Sequence, residues 1–331
     1  MPVNILAIES SCDDTSASVI SDGKILSNLV AGQKVHEAYG GVVPELASRA
    51  HQANILPVVD MALKQAGMTL TDLSAVAFTQ SPGLIGSLMV GCSFAKSLAQ
   101  SLNIPLIGVH HMQAHVLAHF IDEPKPVFPF LCLTVSGGHT QIVLMRNYFE
   151  FEIIGKTLDD AAGEAFDKAA KILELPYPGG PLIDKYAKGG NQHAFQFAKP
   201  DIPELNFSFS GLKTSFLYFI RERIKTNSDF IDENLADICA SMQEAIIYHL
   251  MKKLVNASKQ TGIKKIALAG GVSANTGLRK AIDIEGQKLG WQTFVPAFEY
   301  CTDNAAMIAI TAHYKYLNTE FESLDVSPSA R

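Results

Sequence analysis

The amino-acid sequence predicts an α/β protein made of two related lobes with a nucleotide site between them. The chain has 331 residues, of which 47% are hydrophobic and 18% are charged. A chain of this length buries a large core and favours two domains over one. Two further observations support the prediction. A strand-turn-strand unit occurs twice, and several glycine-containing turns lead from strands into helices.

Composition and charge narrow the possible functions. The formal net charge is −6, so the chain has no overall attraction to nucleic acid, and any RNA contact must come from local patches or from a partner subunit. The five cysteines lie far apart without a Cys-x-x-Cys pair, which favours a reducing compartment and no disulfide framework. The N-terminus lacks a basic, apolar leader, and no apolar run is long enough to span a bilayer. We therefore expect a soluble, cytoplasmic protein with no membrane partner.

The strand-turn-strand unit occurs first in residues 5–20 and again in residues 130–145. The two copies align at Ser11 with Ser136 and at Thr15 with Thr140. In each copy an apolar strand enters a short polar turn and a second strand leaves it. A tight hairpin with hydroxyls, glycines and free amides can hold a phosphate, so we expect one such hairpin in each lobe.

Two glycine turns connect a buried strand to a helix. Residues 80–86 lead into a predicted helix at Ser87–Leu102, and residues 270–275 lead into a helix that starts at Thr276. Such turns present unpaired amides and the positive end of a helix dipole, and glycine lets an anion approach the backbone. Together with the two hairpins they predict a nucleotide in a cleft between the lobes.

The region between these turns is predicted to be largely helical. Residues Leu158–Lys171 are expected to form one helix that its first aspartates cap, with Asp167 in the interior and Lys171 as a possible ion-pair partner. A rigid turn at Tyr177–Pro181 follows. Long amphipathic helices from about Asp232 to Gln260 are expected to serve in packing.

A pair of histidines has the spacing of metal ligands. His111 and His115 are four residues apart, which places both imidazoles on one face of a helix. Met112 occupies the position where a zinc protease has its glutamate base, so a bound metal would serve another chemistry. His110 and His119 are the competing histidines of this segment.

Eight segments in order resemble the bacterial tRNA N6-adenosine threonylcarbamoyltransferase family, and the likeness spans nearly the whole chain. The segments are residues 8–15, 40–49, 111–115, 135–140, 163–168, 208–214, 270–275 and 301–304. The resemblance implies the actin-like ATPase fold that sugar kinases also have, a duplicated two-lobe fold with a nucleotide cleft between the lobes. It also implies transfer of threonylcarbamoyl to N6 of adenosine 37 in tRNAs that read codons beginning with A.

The resemblance implies that His111, His115 and Asp303 bind one divalent metal, with iron(II) favoured and zinc possible. Two imidazoles and a carboxylate suit either ion. Asp303 directly precedes a predicted helix at Ala305–Leu317, so its alternative role is that of an N-cap.

The resemblance further implies threonylcarbamoyl-AMP as substrate and AMP as product. The residues implied in substrate binding are Thr134, Val135, Ser136, Gly137, Gly138, Asp167, Gly180, Asp184 and Asn275. The exocyclic amine of adenine is a poor nucleophile, so we expect the metal to act as a Lewis acid on the donor. The general base is expected among Glu9, Asp13 and Asp14, each of which could instead cap the hairpin or orient a water.

The implied lobes are residues 1–131 with 297–331, which carry the metal ligands, and residues 132–296, which carry most nucleotide and substrate contacts. The implied partners are the tRNA anticodon loop, an actin-like paralogous subunit, a small ATPase and the upstream synthase that makes threonylcarbamoyl-AMP.

An actin-like kinase or ATPase acting on a small acceptor is the alternative function. A metalloprotease lacks its base here, and a nucleotide-switch scaffold differs from an enzyme in turnover alone.

Overall fold

The computed structural model describes residues 2–198 and 202–331. The chain divides into two compact units, Met1–Lys125 with Ala297–Arg331 and Pro126–Pro296. The sequence-based division at residue 131 falls inside the strand Phe130–Val135, whose ladder partners both belong to the second unit.

The first unit is built on a five-stranded sheet in the order β3-β2-β1-β4-β5. Its strands are β1 (Asn4–Glu9), β2 (Thr15–Ser21), β3 (Lys24–Ala31), β4 (Ala75–Ser81) and β5 (Leu106–His110). Its helices are α1 (Pro44–Ala66), α2 (Ile85–Leu102), α3 (His111–Leu117) and the late helix α9 (Ala305–Leu317). The β1–β2 and β2–β3 pairs are antiparallel, whereas β1–β4 and β4–β5 are parallel.

The central strand β1 is buried at every position. Leu6 and Ile8 belong to a core with apolar residues of α1 and α2, and α9 also packs against β1. Ile5 and Ala7 alternate with those residues and are equally buried, so both faces of this strand are covered. The polar residues that follow β1 and β5 are consequently held by a rigid, two-sided core.

The second unit has a five-stranded sheet in the order β10-β9-β6-β7-β8. Its strands are β6 (Phe130–Val135), β7 (Thr140–Met145), β8 (Phe151–Lys156), β9 (Lys265–Ala269) and β10 (Gln292–Phe294). Its helices are α4 (Ala162–Ile172), α5 (Gly179–Ala187), α6 (Ser210–Thr226), α7 (Phe230–Thr261) and α8 (Thr276–Leu289). Read from β8 to β10, the sheet repeats the order and pairing directions of the first unit, which confirms the predicted repeat.

The helices predicted after the two glycine turns, near the C-terminus and between residues 232 and 260 are confirmed. The predicted helix at Leu158–Lys171 is wrong at its beginning, because α4 starts at Ala162 and its first amide donates to the Thr140 side chain rather than to an aspartate. Asp159 instead accepts hydrogen bonds from Phe209 N at 2.8 Å and Ser210 N at 3.3 Å, at the start of α6. A distant helix end therefore holds the carboxylate that local spacing assigned to α4. None of the helices in the described ranges is long and apolar enough to cross a membrane.

Candidate functional site

His111, His115 and Asp303 come together in the first unit. Asp303 Oδ1 lies 3.0 Å from His115 Nε2 and 3.3 Å from His111 Nε2. One nitrogen of each histidine and a carboxylate oxygen all lie within 4.8 Å of one another. Both histidines are buried, and the Asp303 side chain is one-quarter exposed, so the cluster has one side open to solvent.

The secondary structure explains this convergence. His111 and His115 share one face of α3, with ring centroids 4.7 Å apart and the rings nearly perpendicular at 86°. Asp303 approaches from the turn before α9, which packs against α3. The alternative N-cap role of Asp303 is wrong, because Asn304 caps α9 by accepting from Met307 N at 3.1 Å. The Asp303 carboxylate therefore faces the histidines.

Glu9 lies behind His111, on the side of the ring away from Asp303. Its carboxylate is fully buried, and Oε2 lies 3.1 Å from His111 Nδ1. Ser11 N and Thr79 Oγ1 each donate to this carboxylate at 2.5 Å. A carboxylate accepts, so it holds the proton on His111 Nδ1 and leaves the Nε2 lone pair for a cation.

The charges of this cluster depend on one another. Burial alone would lower the pKa of His111, but the negative charges of Asp303 and Glu9 outweigh it and raise that pKa well above its usual value. Burial alone would raise the pKa of Asp303, but His111 and His115 hold that pKa well below its usual value. The pKa of Glu9 is likewise lowered, because His111 opposes the effect of burial. The positive form of His111 and the negative forms of Glu9 and Asp303 therefore stabilise one another.

The donor set fits a divalent metal. Two Nε2 atoms and one carboxylate oxygen converge, and loss of the His111 Nε2 proton would expose a lone pair at the point where a cation is attracted by Asp303. Iron(II) and zinc both accept two imidazoles and a carboxylate. His110 caps α3 by accepting from Gln113 N at 3.3 Å, and His119 is buried in the short helix that follows α3.

The other two carboxylates proposed as the base, Asp13 and Asp14, lie on the β1–β2 hairpin and are partly exposed. Burial raises the pKa of Asp14 to about 7, with further contributions from the negative charges of Asp303, Asp13 and Glu9. A carboxyl group with such a pKa can accept a proton near neutral pH. Glu9 differs, since its carboxylate is fully buried and its hydrogen bonds are with His111, Ser11 N and Thr79 Oγ1.

In the second unit, the predicted substrate residues follow a chain of contacts at the carboxyl ends of β6 and β9. Gly163 N, at the start of α4, donates to Ser136 O at 3.2 Å in the turn after β6. Asp167, one turn further along α4, accepts from Gly179 N at 2.8 Å and Gly180 N at 3.1 Å. Burial raises the pKa of Asp167 despite these two hydrogen bonds. The turn after β6 is thereby connected through α4 to the N-terminus of α5.

The contacts continue from α5 to α8 and return to β6. Asp184 accepts from Thr276 Oγ1 at 2.8 Å and from Thr276 N at 3.2 Å. Asn275 caps α8 with its side-chain oxygen. Gly270 has a φ of +83°, and a Cβ there would lie 2.5 Å from Val135 O, so only glycine fits between this loop and β6. The predicted residues of this unit therefore form one ring of contacts.

Within the Thr134–Gly138 segment, the structure separates two groups. Thr134 and Val135 are fully buried in β6 and pair with Gln141 and Thr140 of β7. Gly137 and Gly138 are exposed, and the described residues form no hydrogen bond to either amide. The two glycines are therefore the part of the segment whose amides are available to an anion.

Two contacting residues were not singled out from the sequence, and a third, Asp159, was assigned to the wrong helix. Thr79 holds Glu9, Gln243 accepts from Asn275 Nδ2 at 2.7 Å, and Asp159 holds the start of α6. The contact of Asp159 could have been considered from the sequence, because Ser208 and Ser210 each carry a hydroxyl that can donate to a carboxylate. The other two lie in an apolar strand and a long helix, where no local pattern marks them.

Comparisons with known proteins show which family this chain resembles. The family model described as tRNA N6-adenosine threonylcarbamoyltransferase matches residues 24–310. A protein of that name from Christiangramia forsetii is 62% identical over 332 residues, which cover 99% of this chain and 98% of that protein.

Solved structures support the fold alone. HypF from T. kodakarensis superposes with a TM-score of 0.66 at 15% identity, covering 98% of this chain and 50% of that one. Component A of (R)-2-hydroxyglutaryl-CoA dehydratase from Acidaminococcus fermentans gives a TM-score of 0.56 at 16% identity, covering 95% of this chain and 99% of that one. Both have the actin-like ATPase fold, so the predicted fold class is confirmed.

Proposed function

This chain belongs to the tRNA N6-adenosine threonylcarbamoyltransferase family, and we propose that its donor is threonylcarbamoyl-AMP and its target is adenosine 37 of tRNAs that read codons beginning with A. The chain is a transferase that forms N6-threonylcarbamoyladenosine. The observation that carries the proposal is the meeting of His111, His115 and Asp303 beside the hairpin of Asp13 and Asp14.

In this proposal, His111, His115 and Asp303 hold one divalent metal, with iron(II) preferred over zinc. When bound, such an ion supplies Lewis-acid polarisation of a carbonyl or phosphate oxygen. Glu9 orients His111 from behind through the 3.1 Å contact at Nδ1. The chain thereby presents a fixed, partly open ligand set rather than a closed structural site.

The ring of contacts in the second unit is proposed to bind the donor. The exposed amides of Gly137 and Gly138 suit its phosphate, whereas the N-terminus of α8 already holds the Asn275 side chain and the Asp184 carboxylate. Asn275 and Asp184, which define that helix start, suit the nucleoside end. Asp167 accepts a hydrogen bond from Gly180 N and thereby holds the N-terminus of α5 in place. Thr134, Val135 and Ser136 would act by placing the two glycines.

The reaction requires a proton acceptor. The adenine N6 forms a bond to the carbamoyl carbon, the bond from that carbon to the phosphate oxygen breaks, and AMP leaves with the electron pair. The N6 proton must be accepted as the amine attacks. We assign this role to Asp14 in preference to Glu9 and Asp13, because its pKa of about 7 matches the task. A target base in a tRNA loop can be turned outward at lower cost than one in a duplex.

The proposed partners are the tRNA anticodon loop, an actin-like paralogous subunit, a small ATPase and the synthase that makes the donor. The proposed location is the cytoplasm. The net charge of −6 supports a role for partner surfaces in holding the tRNA.

A single-turnover reaction tests the proposal. Metal-loaded protein in excess is mixed with threonylcarbamoyl-AMP and unmodified tRNA without ATP, and the digested nucleosides are analysed by mass spectrometry. We expect modified adenosine, and none with tRNA carrying guanosine at the target position. Absence of product, together with ATP-dependent phosphorylation of a small acceptor, would support the kinase alternative instead.

A further inference from the structure

We propose that His51 is a positioning residue for the transfer reaction, which fixes the β1–β2 hairpin through its neutral ring with the proton on Nε2. This inference rests on the proposed function, because it takes that hairpin to carry the proton acceptor. His51 belongs to α1, and its ring bonds to the hairpin residues Thr15 and Cys12 rather than to the candidate metal ligands.

His51 contacts the hairpin at both ends of the Asp13-Asp14 pair. The residue is fully buried, with Nδ1 2.8 Å from Thr15 Oγ1 and Nε2 3.0 Å from Cys12 O. One imidazole thus joins the residue before the two aspartates to the residue after them. The aspartates themselves remain partly exposed at the tip between these two points.

The two contacts determine the tautomer. A carbonyl oxygen only accepts, so the proton must be on Nε2 for the contact with Cys12 O. Nδ1 is then an acceptor, and Thr15 Oγ1 donates to it. Burial lowers the pKa of His51, which favours this neutral form. Protonation would place two donors on the ring and remove the acceptor that Thr15 uses.

The remaining supports hold the two halves of the hairpin separately. In the second half, Thr15 pairs with Ala31 of β3, and Ala305 N donates to Ser16 Oγ at 2.8 Å, whereas the first half is held from α2. Leu84 N donates to Ser11 O at 2.7 Å, and Ser87 Oγ donates to Cys12 O at 3.1 Å. These contacts come from α2 and the turn before it. Among the hydrogen bonds of the described residues, the His51 ring is the side chain that links Cys12 to Thr15.

The equivalent threonine of the second unit is held by a different kind of group. Thr140 is the equivalent of Thr15, and its Oγ1 accepts from Ala162 N at 2.8 Å at the start of α4. A backbone amide N–H is present at that position with any residue except proline. In the first unit the threonine is held by a side chain, so the hairpin with the aspartates depends on one residue type at position 51.

Three substitutions separate the two contacts. His51→Asn keeps an acceptor near the Nδ1 position, His51→Gln keeps a donor near the Nε2 position, and His51→Phe keeps the volume alone. Single-turnover rate, KM for tRNA and for threonylcarbamoyl-AMP, bound metal and thermal midpoint are measured for each. We expect His51→Phe to lower the rate about 10- to 100-fold, since small displacements of reacting groups have effects of this size. KM for tRNA and metal content should stay unchanged, with Asn and Gln intermediate.

The matched control is His313→Phe. His313 is another histidine of the first unit whose pKa is lowered by burial, and its Nδ1 is buried without a hydrogen-bond partner among the described residues. We expect its rate to match the wild type. A wild-type rate in folded His51→Phe, with only a lower thermal midpoint, would show a merely structural role and overturn the inference.

A second pair of variants covers the case in which His51→Phe does not fold. Thr15→Val removes the hydroxyl and Thr15→Ser retains it. The single-turnover rate should therefore fall in Thr15→Val and stay near the wild-type rate in Thr15→Ser. Equal rates for the two would contradict the inference. Failure of the wild-type protein to transfer at all would instead contradict the proposed function.

Discussion

Glu9 Oε2 lies 3.1 Å from His111 Nδ1, although 102 residues separate the two in sequence. The pair is almost completely buried, and it orients the ring nitrogen that faces Asp303. Carboxylates placed behind a ligating histidine fix its tautomer and raise its basicity. The relationship therefore makes Glu9 a positioning residue for the candidate metal centre.

Glu9→Gln should weaken metal binding about 10- to 100-fold, because the amide removes the charge that holds the proton on His111 Nδ1. Competition with a chromophoric chelator measures the affinity. The control is Glu45→Gln, which removes an exposed pair with Arg49 and should leave affinity unchanged. Equal metal affinity in Glu9→Gln and the wild type would refute the orienting role.

Gly163→Ala should raise KM for threonylcarbamoyl-AMP about tenfold or more. A Cβ at this position would lie 2.5 Å from Ser136 O and 2.8 Å from Gly137 Cα, so α4 would push the turn out of place. Gly189→Ala is the control, because a Cβ there meets no atom within 4 Å. An unchanged KM in folded Gly163→Ala would mean that this turn does not bind the donor.

Asp14→Asn should lower the single-turnover rate about 10²- to 10⁴-fold while metal content stays the same, since a general base contributes on that scale. Asp22→Asn provides a control in the same unit, at the β2–β3 turn. A rate within about threefold of the wild type would remove Asp14 as the base and return the role to Asp13.

Asp159→Asn should lower stability at neutral pH by about 1 kcal/mol, because hydrogen bonds to a charged acceptor are stronger than those to a neutral amide. Burial would raise the pKa of Asp159, but hydrogen bonds from Ser208, Phe209 and Ser210 hold it below its ordinary value. A lowered carboxyl pKa stabilises the fold above the unfolded value of about 3.9 and ceases to do so as pH falls through the folded value.

The direction of this pH dependence is checked by urea unfolding of the wild type and Asp159→Asn at a series of pH values. The difference in unfolding free energy should be constant from pH 7 to about 5 and shrink below about 4. A difference that grows toward acid would show that the carboxylate is not the stabilising form.

Local patterns predicted the parts of the fold that local interactions decide. The two hairpins and the helices α2, α8 and α9 follow from alternating apolar residues and glycine turns, and their positions agree with the structure. The beginning of α4 did not follow, because Asp159 binds a helix start 50 residues away. Spacing within a segment carries no information about such a partner.

Contacts between residues far apart in sequence also limited the prediction of the candidate site. Four-residue spacing paired His111 with His115, but Asp303 lies 188 residues beyond His115 and entered only through the family resemblance. His51 and Thr79 had no local signal, since each is an ordinary buried position of a helix or strand until the hairpin is folded beside it.

The claim that His111, His115 and Asp303 bind one metal ion is tested most directly by measuring iron and zinc per chain in the wild type, His115→Ala and Asp303→Asn. His313→Phe is the control for loss of a half-buried histidine of the same unit. We expect one metal ion per chain in the wild type and the control, and about a tenth or less in the two ligand variants. Stoichiometric metal in folded His115→Ala or Asp303→Asn would contradict the proposed centre.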